Sequence, residues 1–257
     1  MTLEEAIAKI KPLDHNAMEI AQKRWDSIAK PLHSLGKLET LLIQIAGITG
    51  NAEVDLSRRG LIAMCADNGV VEEGVTQTGQ EVTAIVAENF LKYDTSVGVM
   101  CKQNHAEIFP VDMGMVTDTK VRTDHKIAYG TQNMTKGPAM TREQAVKGLE
   151  AGIDMVRELN DKGYRILATG EMGIGNTTTS SAVASVLLKQ PVEEMTGRGA
   201  GLTSEGLVRK INAIKKAITL NKPDPEDAID VLAKVGGLDI AGMAGVFLGG
   251  AVYGIPV

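Results

Sequence analysis

The segment Arg165–Leu188, RILATGEMGIGNTTTSSAVASVLL, carries the strongest indication of how this chain folds. It begins with a short apolar run, Ile166–Ala168, which is typical of a buried parallel strand. Glycines and a row of hydroxyl side chains follow, and an apolar tract, Ala182–Leu188, closes the segment. This order predicts a strand, a glycine-rich turn and a helix N-terminus, where unpaired N–H groups attract anions. Phosphate is the usual ligand of such a turn.

The turn departs from the two common phosphate-binding motifs. Gly170 and Gly175 have the spacing of a P-loop, but Asn176 stands where that motif has lysine. The dinucleotide-binding pattern also fails, because no third glycine follows Gly175. An ordinary strand-to-helix turn has the same residue types, so that alternative stays open for the segment alone. The residues predicted to hold phosphate are Gly173, Ile174, Gly175, Asn176, Thr177 and Thr178.

Two charged residues are candidates for the chemistry. Glu171 lies beside the predicted phosphate site, which is unfavourable for a carboxylate unless it has a partner or a chemical role. Lys210, on a helix predicted over 203–218, could reach the phosphate, and a solvated helix face explains it equally well. The histidines have no cysteine or acidic partner at ligand spacing, so no metal site is predicted.

Composition limits the class of protein. The 257 residues carry a net charge of −5 and only 3% aromatic residues, which gives no reason to expect a nucleic-acid partner. Cys65 and Cys101 are typical of buried thiols in a reducing compartment, and the acidic start is no signal peptide, so we expect a cytoplasmic protein. The uncharged stretch Ile240–Val257 contains a G-x-x-x-G motif of membrane helices, but its glycines and proline favour a helix packed inside an α/β core.

The order of predicted elements indicates an α/β domain behind a helical start. Residues 1–50 are predicted to be helices of a small helical domain, and residues 51–257 an α/β phosphate-binding catalytic domain. Predicted strands at Leu61–Ala66 and Glu107–Val111 end in polar residues, where ligands of parallel sheets gather. A flexible loop is expected over Val71–Gln80, and Asp224–Glu226 is expected to begin a helix. The last residues resemble the start of a strand, so we expect this domain to be incomplete at its C-terminus.

Six blocks together resemble the nicotinate-nucleotide–dimethylbenzimidazole phosphoribosyltransferases, and they follow the order of that family along nearly the whole chain. They are Lys30–Glu39, Met64–Val75, Gly137–Ala145, Gly170–Thr178, Gly197–Lys210 and Val231–Gly237. The resemblance implies a Rossmann-like parallel sheet with flanking helices, a small helical domain and a homodimer. It also implies transfer of phosphoribose from nicotinate mononucleotide to 5,6-dimethylbenzimidazole, with no cofactor and no membrane.

The resemblance also assigns residues. Glu171 and Lys210 match active-site positions of the family, and Asp67 lies in its Asp-His-Gly block, where this chain has Asn68. Two residues of the family's acceptor-base pocket, a serine and a glutamine, correspond to Thr78 and Val86, so an altered preference for the acceptor base is expected. The family's general base is a glutamate in a C-terminal Leu-Gly-Glu-Gly segment that lies beyond residue 257.

Three functions remain open from the sequence. The first is the phosphoribosyltransferase itself. The second is a non-catalytic homologue that binds nicotinate mononucleotide and depends on a partner chain for the missing segment. The third is an unrelated nucleotide-binding enzyme, such as a kinase or a dehydrogenase, which tight binding of ATP or NAD would reveal.

Overall fold

The computed structural model describes all residues, 1–257. Three strands form one sheet: β1 (Arg59–Ala66), β2 (Ala106–Gly114) and β3 (Ile166–Met172). The helices are α1 (Leu3–Lys9), α2 (His15–Ser27), α3 (Lys37–Thr49), α4 (Glu81–Lys92), α5 (Ser96–Gln103), α6 (Arg142–Asp161), α7 (Asn176–Leu187), α8 (Val192–Met195), α9 (Ser204–Asn221), α10 (Ala228–Val235) and α11 (Leu238–Tyr253).

The sheet is parallel, with β1 between β2 and β3, which confirms the α/β fold class. Side chains of β1 alternate between two cores, as the two-residue period of a strand requires. Ile62 and Met64 pack into the main core, which α6 and α11 share. Ala63 and Cys65 pack on the opposite face, in a core that includes residues of α4 and α5. Helices therefore cover both faces of the sheet, as they do in parallel sheets generally.

The strand β3 differs from the sequence expectation of a buried strand. It occupies an edge of the sheet, and most of its residues are partly exposed. An edge strand lacks a neighbour on one side, so its apolar residues are covered less completely than those of β1. The backbone beyond α11 lies along this edge, where the Leu167 amide donates a hydrogen bond of 2.9 Å to the Pro256 carbonyl oxygen.

Glycines allow α6 and α11 to pack very closely. A Cβ atom on Gly152 would stand 2.2 Å from the Gly242 carbonyl oxygen, and one on Gly245 would stand 2.0 Å from the Leu149 carbonyl oxygen. Any side chain at these positions would push the helices apart. The expectation of a glycine-faced helix inside the core is therefore confirmed, and no helix of the chain has the length and apolar character needed to cross a membrane.

The other elements agree with the sequence in most places. Two helices begin with capping boxes, α1 at Thr2 and α6 at Thr141. The expectation that a helix begins at Asp224–Glu226 is wrong, because the side chain of Asp227 caps the first turn and α10 begins after it. The first three residues of the loop predicted over Val71–Gln80 belong instead to a 3-10 helix, Gly69–Glu73. The division into domains at residue 50 stays a prediction.

Candidate active site

The glycine-rich turn follows β3 and leads directly into α7, beside the carboxyl end of β1. Gly175 has a φ of 95°, a left-handed conformation that favours glycine. A Cβ atom on Gly173 would stand 2.2 Å from the Ala66 carbonyl oxygen, so only glycine fits between the two strand ends. The strand, turn and helix predicted from the sequence are therefore present, and two of the glycines are required by local geometry.

Three of the six residues predicted to hold phosphate use their amide groups within the protein. The Ile174 amide donates to Thr83 Oγ1 of α4 at 3.0 Å. The Asn176 amide donates to the Gly173 carbonyl at 3.0 Å, and the Thr178 amide donates to the Gly175 carbonyl at 2.9 Å. These bonds hold the turn in shape, and they leave these three amides unable to serve as the main donors to a ligand.

The other three predicted amides have no acceptor within the chain. They belong to Gly173, Gly175 and Thr177. They occur at alternate positions through the turn and the first turn of α7, where the helix dipole is positive. Unpaired amides at a helix N-terminus favour an anion with several acceptor oxygens, and phosphate is such an anion.

Lys210 projects from α9 into the same site. Its side chain is only 1% exposed, yet no carboxylate pairs with it. The Nζ atom donates to Thr177 Oγ1 at 2.7 Å and to the Gly197 carbonyl at 3.1 Å, in the second glycine-rich turn. Burial lowers the pKa of Lys210, because no anion compensates for the loss of water. A buried ammonium group without a counter-ion is an energetic cost that a bound phosphate would offset.

Glu171 lies near the end of β3 and is partly buried. Asn176 Nδ2, in the first residue of α7, donates a hydrogen bond to Glu171 Oε2. Burial raises the pKa of Glu171, and the hydrogen bond from Asn176 opposes that shift. The structure thus brings Glu171 to the start of the phosphate turn, as the sequence predicted. A carboxylate with a raised pKa can accept a proton more readily than an exposed one.

Asp239, in the first turn of α11, was missed by the sequence reasoning and lies at this same site. Its side chain is 0% exposed, and its Oδ2 atom is 3.5 Å from Asn68 Nδ2. Burial, followed by the charge of Glu171, raises the pKa of Asp239 to about 7. The available sequence signal was an acidic residue immediately after Gly236-Gly237, because an aspartate at the start of an otherwise apolar helix needs an explanation.

The three residues expected in the acceptor-base pocket lie in different surroundings. Asp67 is fully buried, and its Oδ2 atom accepts a hydrogen bond of 2.9 Å from the Val116 amide. Thr78 is exposed in the segment before α4. Val86, on α4, packs partly buried in the same apolar cluster as Met172, the neighbour of Glu171. The structure therefore brings Val86 towards β3, whereas the Asp67 side chain joins the end of β1 to the segment that follows β2.

A protein-family comparison matches nearly the whole chain. The family described as phosphoribosyltransferase matches residues 10–257. A nicotinate-nucleotide–dimethylbenzimidazole phosphoribosyltransferase of Ruminiclostridium cellulolyticum is 53% identical over 259 residues, which include all of this chain and 74% of that protein. The protein of the same name from Clostridium acetobutylicum is 52% identical, again over all of this chain and 74% of its own length.

A solved structure is also similar. The crystal structure of CobT from Thermus thermophilus superposes with a TM-score of 0.87 at 35% sequence identity. The superposition covers 94% of this chain and 73% of that chain. The similarity therefore extends over nearly all of this chain.

Proposed function

Because the chain belongs to the phosphoribosyltransferase family, we propose that it transfers phosphoribose from nicotinate mononucleotide to 5,6-dimethylbenzimidazole or a related base. The products are α-ribazole 5′-phosphate and nicotinate. The enzyme is then a pentosyltransferase of the pathway that supplies the lower ligand of cobalamin, in line with the names of its relatives.

The observation that carries this proposal is the pairing of three free amides with a buried lysine. The amides of Gly173, Gly175 and Thr177 have no acceptor in the chain, and Lys210 has no carboxylate partner. Together they supply several donors and one positive charge at the N-terminus of α7, where Lys210 Nζ contacts Thr177 Oγ1 at 2.7 Å. This donor set fits a phosphate monoester, the group that the nucleotide donor carries at its 5′ position.

The reaction needs little covalent chemistry from the protein. An acceptor nitrogen forms a bond to the anomeric carbon on the face opposite the leaving nicotinate, which inverts the configuration. The bond to the nicotinate ring nitrogen breaks, and its electron pair neutralises that cationic nitrogen. The acceptor then loses its N–H proton. The protein must hold the phosphate, align the two nitrogens and remove this proton.

Glu171 is the candidate for the proton acceptor among the residues of this chain. It is the partly buried carboxylate beside the phosphate turn, and its raised pKa favours proton uptake. The sequence resemblance assigns the family's general base to a glutamate beyond residue 257. In that case Glu171 acts beside it, close to the ribose or the acceptor.

Val86 would influence which base the enzyme uses as the acceptor. The apolar cluster that contains Val86 and Met172 supplies surface for a flat aromatic base. Val86 cannot form the hydrogen bonds of the glutamine that the family has at this position. We therefore include other benzimidazoles, adenine and phenolic bases as acceptors to be compared.

The test is a product assay with the 257-residue chain. Nicotinate and the new ribotide are separated by chromatography after incubation of nicotinate mononucleotide with each acceptor. Equal amounts of nicotinate and ribotide support the proposal. Release of nicotinate that does not depend on an acceptor would contradict it, and so would tight binding of ATP or NAD in preference to nicotinate mononucleotide.

A partner-dependent homologue is the second candidate, and Asn68 and Val86 favour it because both replace polar or titratable groups of the family motif. It would bind nicotinate mononucleotide but release nicotinate only with a companion chain that carries a Leu-Gly-Glu-Gly segment. A homodimer in the cytoplasm belongs to either candidate. Exposed apolar side chains of α2 and α3, such as Ile20 and Leu38, offer surface for such a contact, and sedimentation would measure it.

A further inference from the structure

Two buried polar side chains lie against the glycine-rich turn, and the transfer reaction described above gives neither of them a role. Asn68 follows β1, Asp239 lies in the first turn of α11, and both are 0% exposed. Asn68 Nδ2 donates a hydrogen bond of 3.5 Å to Asp239 Oδ2. The other carboxylate oxygen, Asp239 Oδ1, accepts a hydrogen bond of 2.9 Å from the Ile240 amide. The two side chains therefore form a buried pair between two elements that are distant along the chain.

This pair contacts the two glycines of the turn that carry free amides. A Cβ atom on Gly173 would stand 2.8 Å from Asp239 Oδ2 and 3.1 Å from Asn68 Nδ2. A Cβ atom on Gly175 would stand 3.1 Å from the Cβ atom of Asn68. The side chains of the pair thus fill the space on one side of the turn, and close packing prevents the turn from moving in that direction.

Both members of the pair are themselves held by the rest of the fold. The Asn68 carbonyl oxygen accepts hydrogen bonds from the Val71 amide at 3.2 Å and from Gln80 Nε2 at 3.3 Å. Asp239 belongs to α11, which packs on α6 through glycines without intervening side chains. A ligand-binding group is positioned most accurately by neighbours that packing and hydrogen bonds hold in one conformation. The pair therefore connects the turn to the end of β1 and to α11, two parts of the core.

A purely structural role would be served better by apolar side chains. Asn68 Oδ1 is buried without a hydrogen-bond donor, and burying such a group costs free energy. A Cβ atom on Gly237 would stand 2.2 Å from Asp239 Oδ1 and 2.6 Å from Asn68 Oδ1, so the pair also requires a glycine before α11. An apolar pair of similar volume would avoid the cost of desolvation, but it would lack the directional hydrogen bond that fixes the distance between β1 and α11 beside the turn.

We propose that Asn68 and Asp239 are positioning residues of the phosphate site, and that their side chains hold Gly173 and Gly175 where the free amides of these glycines meet a phosphate group. The pair acts through the turn and does not touch the ligand. Donors that are misplaced by about 1 Å can cost as much as 100-fold in activity, so a small movement of the turn matters. The inference rests on the proposed function for the identity of the nucleotide, but inorganic phosphate tests the turn itself.

Calorimetry on the folded 257-residue chain measures this role with three ligands: inorganic phosphate, nicotinate mononucleotide and nicotinate riboside, which lacks the phosphate. Asp239→Ala should weaken binding of the first two ligands by at least about tenfold, because Gly173 loses the contact that holds it. Affinity for the riboside should not change. Asp239→Asn should restore phosphate binding, because asparagine has the same shape, keeps an acceptor for the Ile240 amide and still presents a polar group to Asn68. A residue needed only for stability would not show this dependence on the ligand.

Thr135→Ala is the matched control, because it removes another buried polar side chain, whose hydroxyl donates to Glu73 Oε1 at 2.7 Å and not to the turn. It should lower the free energy of unfolding and leave all three affinities unchanged.

Asn68→Ala is the second variant, which keeps the test decisive if Asp239→Ala fails to fold, and it should show the same selective loss of phosphate binding. The inference is overturned if a folded variant of the pair binds phosphate with wild-type affinity, if its affinity for the riboside falls equally, or if the wild type binds no phosphate. The expected losses of phosphate binding, combined with a wild-type chain that releases no nicotinate, would support the inference and count against the proposed function.

Discussion

Replacing Lys210 with methionine is the sharpest perturbation of the phosphate site. Methionine has a similar length and no charge, so it fills the same buried space without a donor. Lys210 Nζ already donates to Thr177 Oγ1 and to the Gly197 carbonyl, which leaves one of its three protons for a ligand. A hydrogen bond to a charged group contributes about 1.5–3 kcal/mol. We therefore expect Lys210→Met to weaken binding of nicotinate mononucleotide by about 10-fold to 150-fold.

The same substitution should affect folding in a different way. Two hydrogen bonds are lost, at a cost of about 1 kcal/mol each. The protein no longer has to bury an unpaired ammonium group, which offsets that loss by a few kcal/mol at most. The free energy of unfolding should consequently stay within about 2 kcal/mol of the wild-type value or rise. Loss of affinity without loss of stability is the signature of a residue kept for its ligand.

Calorimetry with two ligands separates the phosphate contribution from other effects. Nicotinate mononucleotide carries the phosphate, and nicotinate riboside lacks it. The variant should lose affinity for the first ligand only. Lys216→Met is the control, because Lys216 is an exposed lysine on the same helix. Equal loss of affinity for both ligands, or full retention of affinity for the mononucleotide, would refute the assignment of Lys210 to the phosphate.

Three further expectations follow from the packing and the ionisable groups. Gly245→Ala should lower the free energy of unfolding by about 2 kcal/mol or more, because the new Cβ atom would stand 2.0 Å from the Leu149 carbonyl oxygen of α6. The control is Gly137→Ala, which should change the free energy of unfolding little, because no atom lies within 4 Å of the added Cβ. Denaturant titration measures the free energy of unfolding of both variants. Thr83→Val should lower the free energy of unfolding by about 1–2 kcal/mol, because the Ile174 amide loses its acceptor. The variant should also bind nicotinate mononucleotide more weakly in calorimetry. If the variant binds it with wild-type affinity, the hydrogen bond from Ile174 does not shape the turn. Because the pKa of Asp239 is raised to about 7, the folded protein holds a proton on Asp239 between about pH 4 and pH 7 that the unfolded chain releases. The contribution of Asp239 to the free energy of unfolding should therefore fall as the pH rises through this range and stay constant above it. The difference in the free energy of unfolding between the wild type and Asp239→Asn, measured against pH, should follow this course, and a difference that does not vary with pH would contradict it.

The sequence predicted the strand, the glycine-rich turn and the helix because their signals are local. A short apolar strand, glycines and hydroxyl side chains lie within one segment, and the structure places them in that order before α7. The sequence could not show which amides are free. That depends on Thr83, which is distant along the chain and accepts from the Ile174 amide. Distinguishing donors to a ligand from donors to the protein requires the three-dimensional arrangement.

The burial of Lys210 could not be predicted from the sequence either, because it depends on tertiary contacts. Its position on α9 is equally compatible with a solvated face, and burial follows from the turn at Gly197 folding over it. Asp239 was missed for a related reason. Its partners are Asn68, after β1, and Glu171, on β3, and only the crossover connections of a parallel sheet bring these segments together. By contrast, the wrong start of α10 was a local error, because Asp227 competes with Asp224 as a cap.

A crystal structure of the chain with nicotinate mononucleotide would test the central claim most directly. We expect the 5′-phosphate oxygens to accept hydrogen bonds of about 2.7–3.1 Å from the amides of Gly173, Gly175 and Thr177 and from Lys210 Nζ. The ribose should then extend towards Glu171. A phosphate bound elsewhere, with the three amides still free of any ligand and Lys210 bonded only to the protein, would contradict the account.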